Sequence, residues 1–229
     1  REAIDGDRLR KYPDPSGTAF RRAASRVLGV DPDAILIGNG SDDILTILTR
    51  TFVPEGGLIV APTPSYILYR SLAEIQGARF QLVPFEADWS LPTPWPVRGA
   101  NLTFLPNPNS PSGTLIAPAR LREWLHQVNG PVVIDEAYAD FADTNALELA
   151  ELPNVIVTRT LSKSYALAGI RFGFGIADPA LVREMMKVKD SYNCDALSLV
   201  AATAAIEDRE YLHETVAKIR ATRERMVPA

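Results

Sequence analysis

A lysine, two hydroxyls and an arginine stand close together in the stretch RTLSKSYALAGIRFG (159–173): Thr160, Ser162, Lys163 and, eight residues on, Arg171. An arginine offers phosphate oxygens a planar fork of donors, and hydroxyls add donors of their own. A lysine amine is the group that forms a Schiff base with an aldehyde. An aldehyde that also carries a phosphate is pyridoxal phosphate, so the spacing suggests one cofactor gripped at both ends. Alone, the stretch reads equally well as a solvated loop with ordinary polar residues, and the rest of the chain has to decide.

The elements that must position these groups alternate along the chain. Short apolar runs predict strands at 35–37, 58–61, 79–83, 102–105, 132–134, 155–157 and 172–176. Between them, amphipathic or Ala- and Leu-rich stretches predict helices at 18–28 (closed by Gly29), 41–52, a segment running toward Gly77, 118–128, 179–189, 195–207 and 209–226. Continuous apolar strands separated by helices imply an α/β domain with a mostly parallel sheet covered on both faces. The Pro-rich stretch 84–96 reads as a long surface connection.

On that map, GNGSDD (38–43), LPNPNSPSG (105–113), DEAY (135–138) and RTLSK (159–163) each begin where a strand ends. Ligands of open α/β sheets bind outside the carboxyl ends of the strands. Each motif alone is an ordinary turn, since Asn, Gly, Pro and Asp are turn formers, but four of them on one edge make a site.

Composition narrows the classes. With 229 residues the chain is long enough to bury a substantial core without staples. Its net charge of −4, with basic residues scattered, gives no electrostatic reason to expect nucleic acid. Cys194 is the sole cysteine, which excludes an internal disulfide and a cysteine metal cluster and fits a reducing cytoplasm. No apolar segment approaches membrane-spanning length. The charged start, REAIDGDRLRKYPDP, lacks the apolar core of a signal peptide. His126 and His213 read as surface residues and Cys194 as a small buried side chain, none with a chemical role.

These motifs, in this order, resemble the large domain of a fold-type I, pyridoxal-phosphate-dependent aminotransferase, nearest the histidinol-phosphate branch. The matching pieces are YPDP (12–15), GNGSDD, PSYILY (64–69), NPNSPSG (107–113), DEAYADF (135–141) and RTLSKSYALAGIRFG, which together cover nearly the whole chain. The resemblance implies a seven-stranded large domain at 18–229, its last helix leading toward a second domain, preceded by an arm at 1–17. It implies that Lys163 holds the cofactor and then moves the substrate's proton, that Asp135 pairs with the pyridine nitrogen, and that Tyr138 donates to the ring's phenolate oxygen. Ser41, Asp42, Thr160, Ser162 and Arg171 would form the phosphate cup, Asp42 through its N–H with its side chain capping the helix or turned away. Tyr66 would stack on the ring. Tyr12 would reach the phosphate of a neighbouring subunit, which implies a homodimer.

The chain departs from the family at several positions. Ser110 stands where Asn commonly touches the phenolate oxygen, so the contact is weaker, water-bridged or taken over by Asn109. Ser112 replaces Thr, Asp43 replaces Glu, and Ala166 stands where Gly is frequent. The chain stops before the small domain whose arginine binds the substrate carboxylate, and on this comparison it is expected to be a fragment or an incompletely ordered protein. The implied reaction carries the amino group of L-histidinol phosphate to 2-oxoglutarate. Alternatives on the same fold are an aromatic aminotransferase and an amino-acid-phosphate decarboxylase. A different class is a cofactor-binding fragment or regulator domain without turnover.

Overall fold

The computed structural model describes residues 9–227; the first eight residues of the expected arm lie outside them. Among the described residues, seven strands form one sheet: β1 (Ile35–Gly38), β2 (Leu58–Thr63), β3 (Arg79–Pro84), β4 (Leu102–Pro106), β5 (Val132–Asp135), β6 (Val155–Thr160) and β7 (Gly173–Ala177). Their spatial order is β1-β7-β6-β5-β4-β2-β3, and β7 alone runs antiparallel to its neighbours. The α/β fold with a mostly parallel seven-stranded sheet is therefore as expected.

The helices are α1 (Thr18–Leu28), α2 (Ser41–Phe52), α3 (Leu68–Ile75), α4 (Pro118–Leu125), α5 (Pro179–Val188), α6 (Ala196–Glu207) and α7 (Arg209–Met226). Alternate strand residues feed two cores. Ile35, Ile37, Val132, Ile134, Val155 and Val157 face Phe20 of α1, Leu121 of α4 and Ile206 of α6. Leu36, Val133 and Ile156 face Ile44 and Leu48 of α2, Tyr69 of α3 and Met185 of α5. Helix α4 stops at Leu125, short of the expected 128, because Gln127 and Val128 bond to carbonyls three residues back and tighten the last turn. The Pro-rich connection is mostly exposed, but Trp95 anchors it, buried and edge-on to Trp124 at 5.1 Å.

Two features of this topology build the site. Strands β2 and β3 extend toward one edge, whereas β4, β5 and β6 extend toward the other, so the connection reverses between β2 and β4. Such a switch point opens a crevice at the carboxyl ends. The antiparallel β7 starts at that same edge, which brings Arg171, two residues before it, beside the ends of β1 and β6.

Candidate active site

At that edge lies a cavity of about 150 Å³ lined by Ser41, Asp42, Tyr66, Ser110, Asp135, Tyr138, Thr160, Ser162, Lys163 and Arg171, together with Pro106, Pro108, Ala137 and Ala168. Every residue that the resemblance places at this chain's own site lines it; Tyr12, expected at a partner subunit's site, is not among the lining residues. A roomier groove of about 550 Å³ between α1 and α6 is apolar and carries no comparable set of chemical groups.

The floor is Asp135. It ends β5 at 5% exposure, and burial raises its pKa, while hydrogen bonds from Tyr69, Thr158 and the Ala137 N–H work in the opposite direction. Tyr69 Oη donates to Oδ2 at 2.9 Å, Thr158 Oγ1 to Oδ1 at 3.1 Å, and the Ala137 N–H to Oδ1 at 3.3 Å. Neither Tyr69 nor Thr158 was singled out by sequence. Tyr69 falls inside the PSYILY motif, and a tyrosine on the apolar face of a helix is a signal that a partner waits inside.

Behind the floor, Glu136 and Arg159 tie the exits of β5 and β6 together. Glu136 is 2% exposed and accepts from Arg159 Nε at 2.8 Å and from the Ala146 N–H. Arg159 reaches on to Asp140 at 3.3 Å, which in turn accepts from Ser164 Oγ at 2.5 Å. Lys163 projects from the β6 exit, its Nζ 5.5 Å from the centroid of the Tyr138 ring.

The opposite wall is suited to an anion. Helix α2 starts after Gly40, which offers no side-chain cap, so the first-turn N–H groups of Ser41 and Asp42 keep their donors. Two glycines make the close approach: a Cβ at Gly40 would stand 2.8 Å from Arg171 Nη2, and one at Gly173 would stand 2.4 Å from Ser41 N. Thr160 Oγ1 donates to Ser162 Oγ at 3.0 Å and itself accepts from the Ser162 N–H at 3.2 Å. Arg171, in the left-handed region at φ 50°, places its guanidinium beside them. Asp43 braces the turn from below, accepting from the Asn39 N–H at 2.9 Å and from Asn193 Nδ2 at 2.7 Å.

Three further details bear on these expectations. The Asp42 carboxylate does not cap α2 or turn away. It lines the cavity 3.8 Å from Arg171 Nη2 and 3.4 Å from Tyr66 Oη, and burial together with its charge raises the pKa of Tyr66. Asn109 is spent on loop closure, donating to Pro64 O and Ser112 Oγ, so Ser110 is the residue of this pair that lines the cavity. Tyr12 is 79% exposed and stacks on Tyr192 of its own chain, with centroids 4.4 Å apart. His126 and His213 are exposed and Cys194 is buried, as expected.

The arrangement joins an amine, a fixed buried carboxylate and an uncapped helix N-terminus with a guanidinium, at the switch point of a parallel sheet. That combination fits pyridoxal phosphate, the group the spacing suggested, because a carboxylate lies at the floor and a Cβ-free cradle faces the anion wall. The chain belongs to the aminotransferase class I and II family, whose model matches residues 1–229.

Within that family it is similar to particular members. It is 54% identical over 224 residues to the histidinol-phosphate aminotransferase of Rhodopirellula baltica, covering 95% of this chain and 61% of that one. Histidinol-phosphate aminotransferase 1 of Trichormus variabilis is 46% identical over 222 residues, covering 96% and 63%. Among solved structures, the histidinol-phosphate aminotransferase of Sinorhizobium meliloti, in complex with pyridoxal-5'-phosphate, aligns with a TM-score of 0.87 at 29% identity, over 96% of this chain and 63% of that one. The chain thus spans less than two thirds of the length of these relatives.

Proposed function

We propose that this chain carries the cofactor-binding and proton-moving part of a histidinol-phosphate aminotransferase. The reaction would carry the amino group of L-histidinol phosphate to 2-oxoglutarate, yielding imidazole acetol phosphate and L-glutamate. The observation that carries the reading is the convergence of Lys163, Asp135 and the Ser41–Arg171 anion wall on one cavity, in a chain 54% identical to a protein of that name.

The bound cofactor supplies an electron sink for bond changes at the donor's α-carbon. Lys163 holds it through Nζ and, once released, takes and returns the α-proton. Asp135 would keep the ring nitrogen protonated, Tyr138 would donate to the phenolate oxygen with Ser110 alongside, and Tyr66 would stack on the ring. The N–H groups of Ser41 and Asp42, the hydroxyls of Thr160 and Ser162, and Arg171 hold the phosphate.

The reading includes an arm at 1–17 and a large domain at 18–229, in a cytoplasmic homodimer. There Tyr12 leaves its stack on Tyr192 and donates to the phosphate in the partner subunit. Reconstitution with pyridoxal phosphate, borohydride reduction and peptide mapping test the core of it: the label should sit on Lys163. The loaded protein should then change absorbance faster with L-histidinol phosphate than with phosphate-free amino donors. A label on another lysine, or faster reaction with aromatic amino acids, refutes the assignment.

A further inference from the structure

Asp135 is held by more than its site requires. An ionised carboxylate offers roughly four acceptor positions. Thr158 Oγ1 and the Ala137 N–H occupy Oδ1, and Tyr69 Oη occupies one position of Oδ2, which leaves about one for a donor in the cavity. Each holder is itself immobilised. Thr158 lies opposite Asp135 in the β5–β6 register and is fully buried. Tyr69 is also fully buried; its ring lies face to face with Phe104 of β4, with centroids 4.6 Å apart and planes within 6°, and Tyr66 abuts it edge-on at 5.7 Å.

We propose that Tyr69 is a positioning residue: with Thr158 on the other oxygen, its phenol locks the Asp135 carboxylate in one orientation and leaves a single lone pair of Oδ2 facing the cofactor's ring nitrogen. This rests on the reading of Asp135 as that nitrogen's partner. A buried phenol always needs an acceptor, but here the stacked ring, the register and the two-sided grip all act on one carboxylate. The same bonds oppose the effect of burial on Asp135 and hold it toward its charged form. The other charge acting on it is Asp42 from α2, which also raises its pKa; Tyr66, in the loop before α3, has its own pKa raised in part by Asp135. Lys163 and Tyr138 share the cavity.

The test is Tyr69→Phe, which keeps the ring on Phe104 and removes only the O–H, with Thr158→Val removing the opposing donor should the first variant fold poorly. In the apo chain labelled with ¹³C at aspartate carboxylates, the Asp135 titration midpoint should move upward by roughly one to two pH units, the worth of a hydrogen bond to a charged group. Affinity for pyridoxal phosphate should stay within about twofold, since the phosphate wall is untouched. With ring-¹⁵N pyridoxal phosphate bound, the nitrogen resonance should move from the wild-type position toward that seen in Asp135→Asn. An unmoved Asp135 midpoint overturns the inference. So does a ¹⁵N resonance that shifts in Asp135→Asn and not in Tyr69→Phe, since the carboxylate then needs no positioning. A resonance unmoved in both variants instead defeats the assignment of Asp135 to the ring nitrogen.

Discussion

Replacing Arg159 with methionine is expected to destabilise the fold by about 3–5 kcal/mol at about pH 8, the cost of removing one partner of a buried ion pair, and by distinctly less at about pH 5. Glu136 is 2% exposed, and Arg159 supplies two donors to it, Nε at 2.8 Å and Nη2 at 2.7 Å. Methionine keeps much of the aliphatic stem and loses the guanidinium, so the carboxylate is left in the interior with only the Ala146 N–H. The loss is capped because the group can take up a proton instead of staying charged. Burial already raises the pKa of Glu136, and the Arg159 charge is the main influence working against that rise. Without Arg159 it must climb further.

The sign follows from the direction. A carboxyl whose folded pKa lies above its unfolded one favours the fold at low pH, and that contribution is lost as pH rises through the folded value. The variant should therefore recover stability on acidification relative to wild type. Urea denaturation of the apo chain at the two pH values measures it, with Glu136→Gln/Arg159→Met as the control. That double variant leaves no charge at the position of this pair and should regain most of the loss at the higher pH. An equal loss at both pH values, or a double variant no more stable than Arg159→Met, would refute the reasoning.

Arg171→Ala should weaken retention of pyridoxal phosphate by about 1.5–3 kcal/mol, nearer the lower figure because the guanidinium is half-exposed, and Arg171→Lys should recover only part; equilibrium dialysis against the cofactor measures both. Ala166 sits at φ 54°, a conformation that costs an L-residue about 1–2 kcal/mol, and glycine there gains roughly 0.4–1 kcal/mol of unfolded-chain freedom. Ala166→Gly should therefore stabilise by about 0.5–1 kcal/mol, read as a shift in the urea midpoint. Tyr12→Phe keeps the ring that stacks on Tyr192 and removes the hydroxyl, so the fold should melt unchanged. Cofactor-dependent dimerisation in sedimentation equilibrium should weaken, because a phosphate contact supplied in trans links the two equilibria.

What the sequence displayed and what it hid divide by range. The lysine stretch, GNGSDD, the loop after β4 and DEAY are local strings at strand exits, so placing the strands placed the motifs, and the cavity gathers their residues. The partners of Asp135 are long-range. Tyr69 lies 66 positions away and Thr158 lies 23 away, and neither has a local pattern that names a carboxylate as its acceptor. The Asp42 side chain is a third kind of case. Its helix start was legible, but its direction depends on where Arg171 and Tyr66 arrive from other elements.

The antiparallel turn of β7 was legible in principle. A parallel return needs a crossover of roughly a dozen residues or more, usually built around a helix. The segment between Thr160 and Gly173 is at the lower limit of that length and holds only a single short 3₁₀ turn at Ala168–Ile170, with no helix to cross over, and the next strand comes back beside β6 in the opposite sense. That reversal starts β7 where β6 ends, and it is why one continuous stretch delivers both Lys163 and Arg171 to the same edge of the sheet. A helical crossover would have carried the arginine to the far end of the strand, out of reach of α2. The eight-residue spacing from lysine to arginine is therefore a consequence of topology as well as of chemistry.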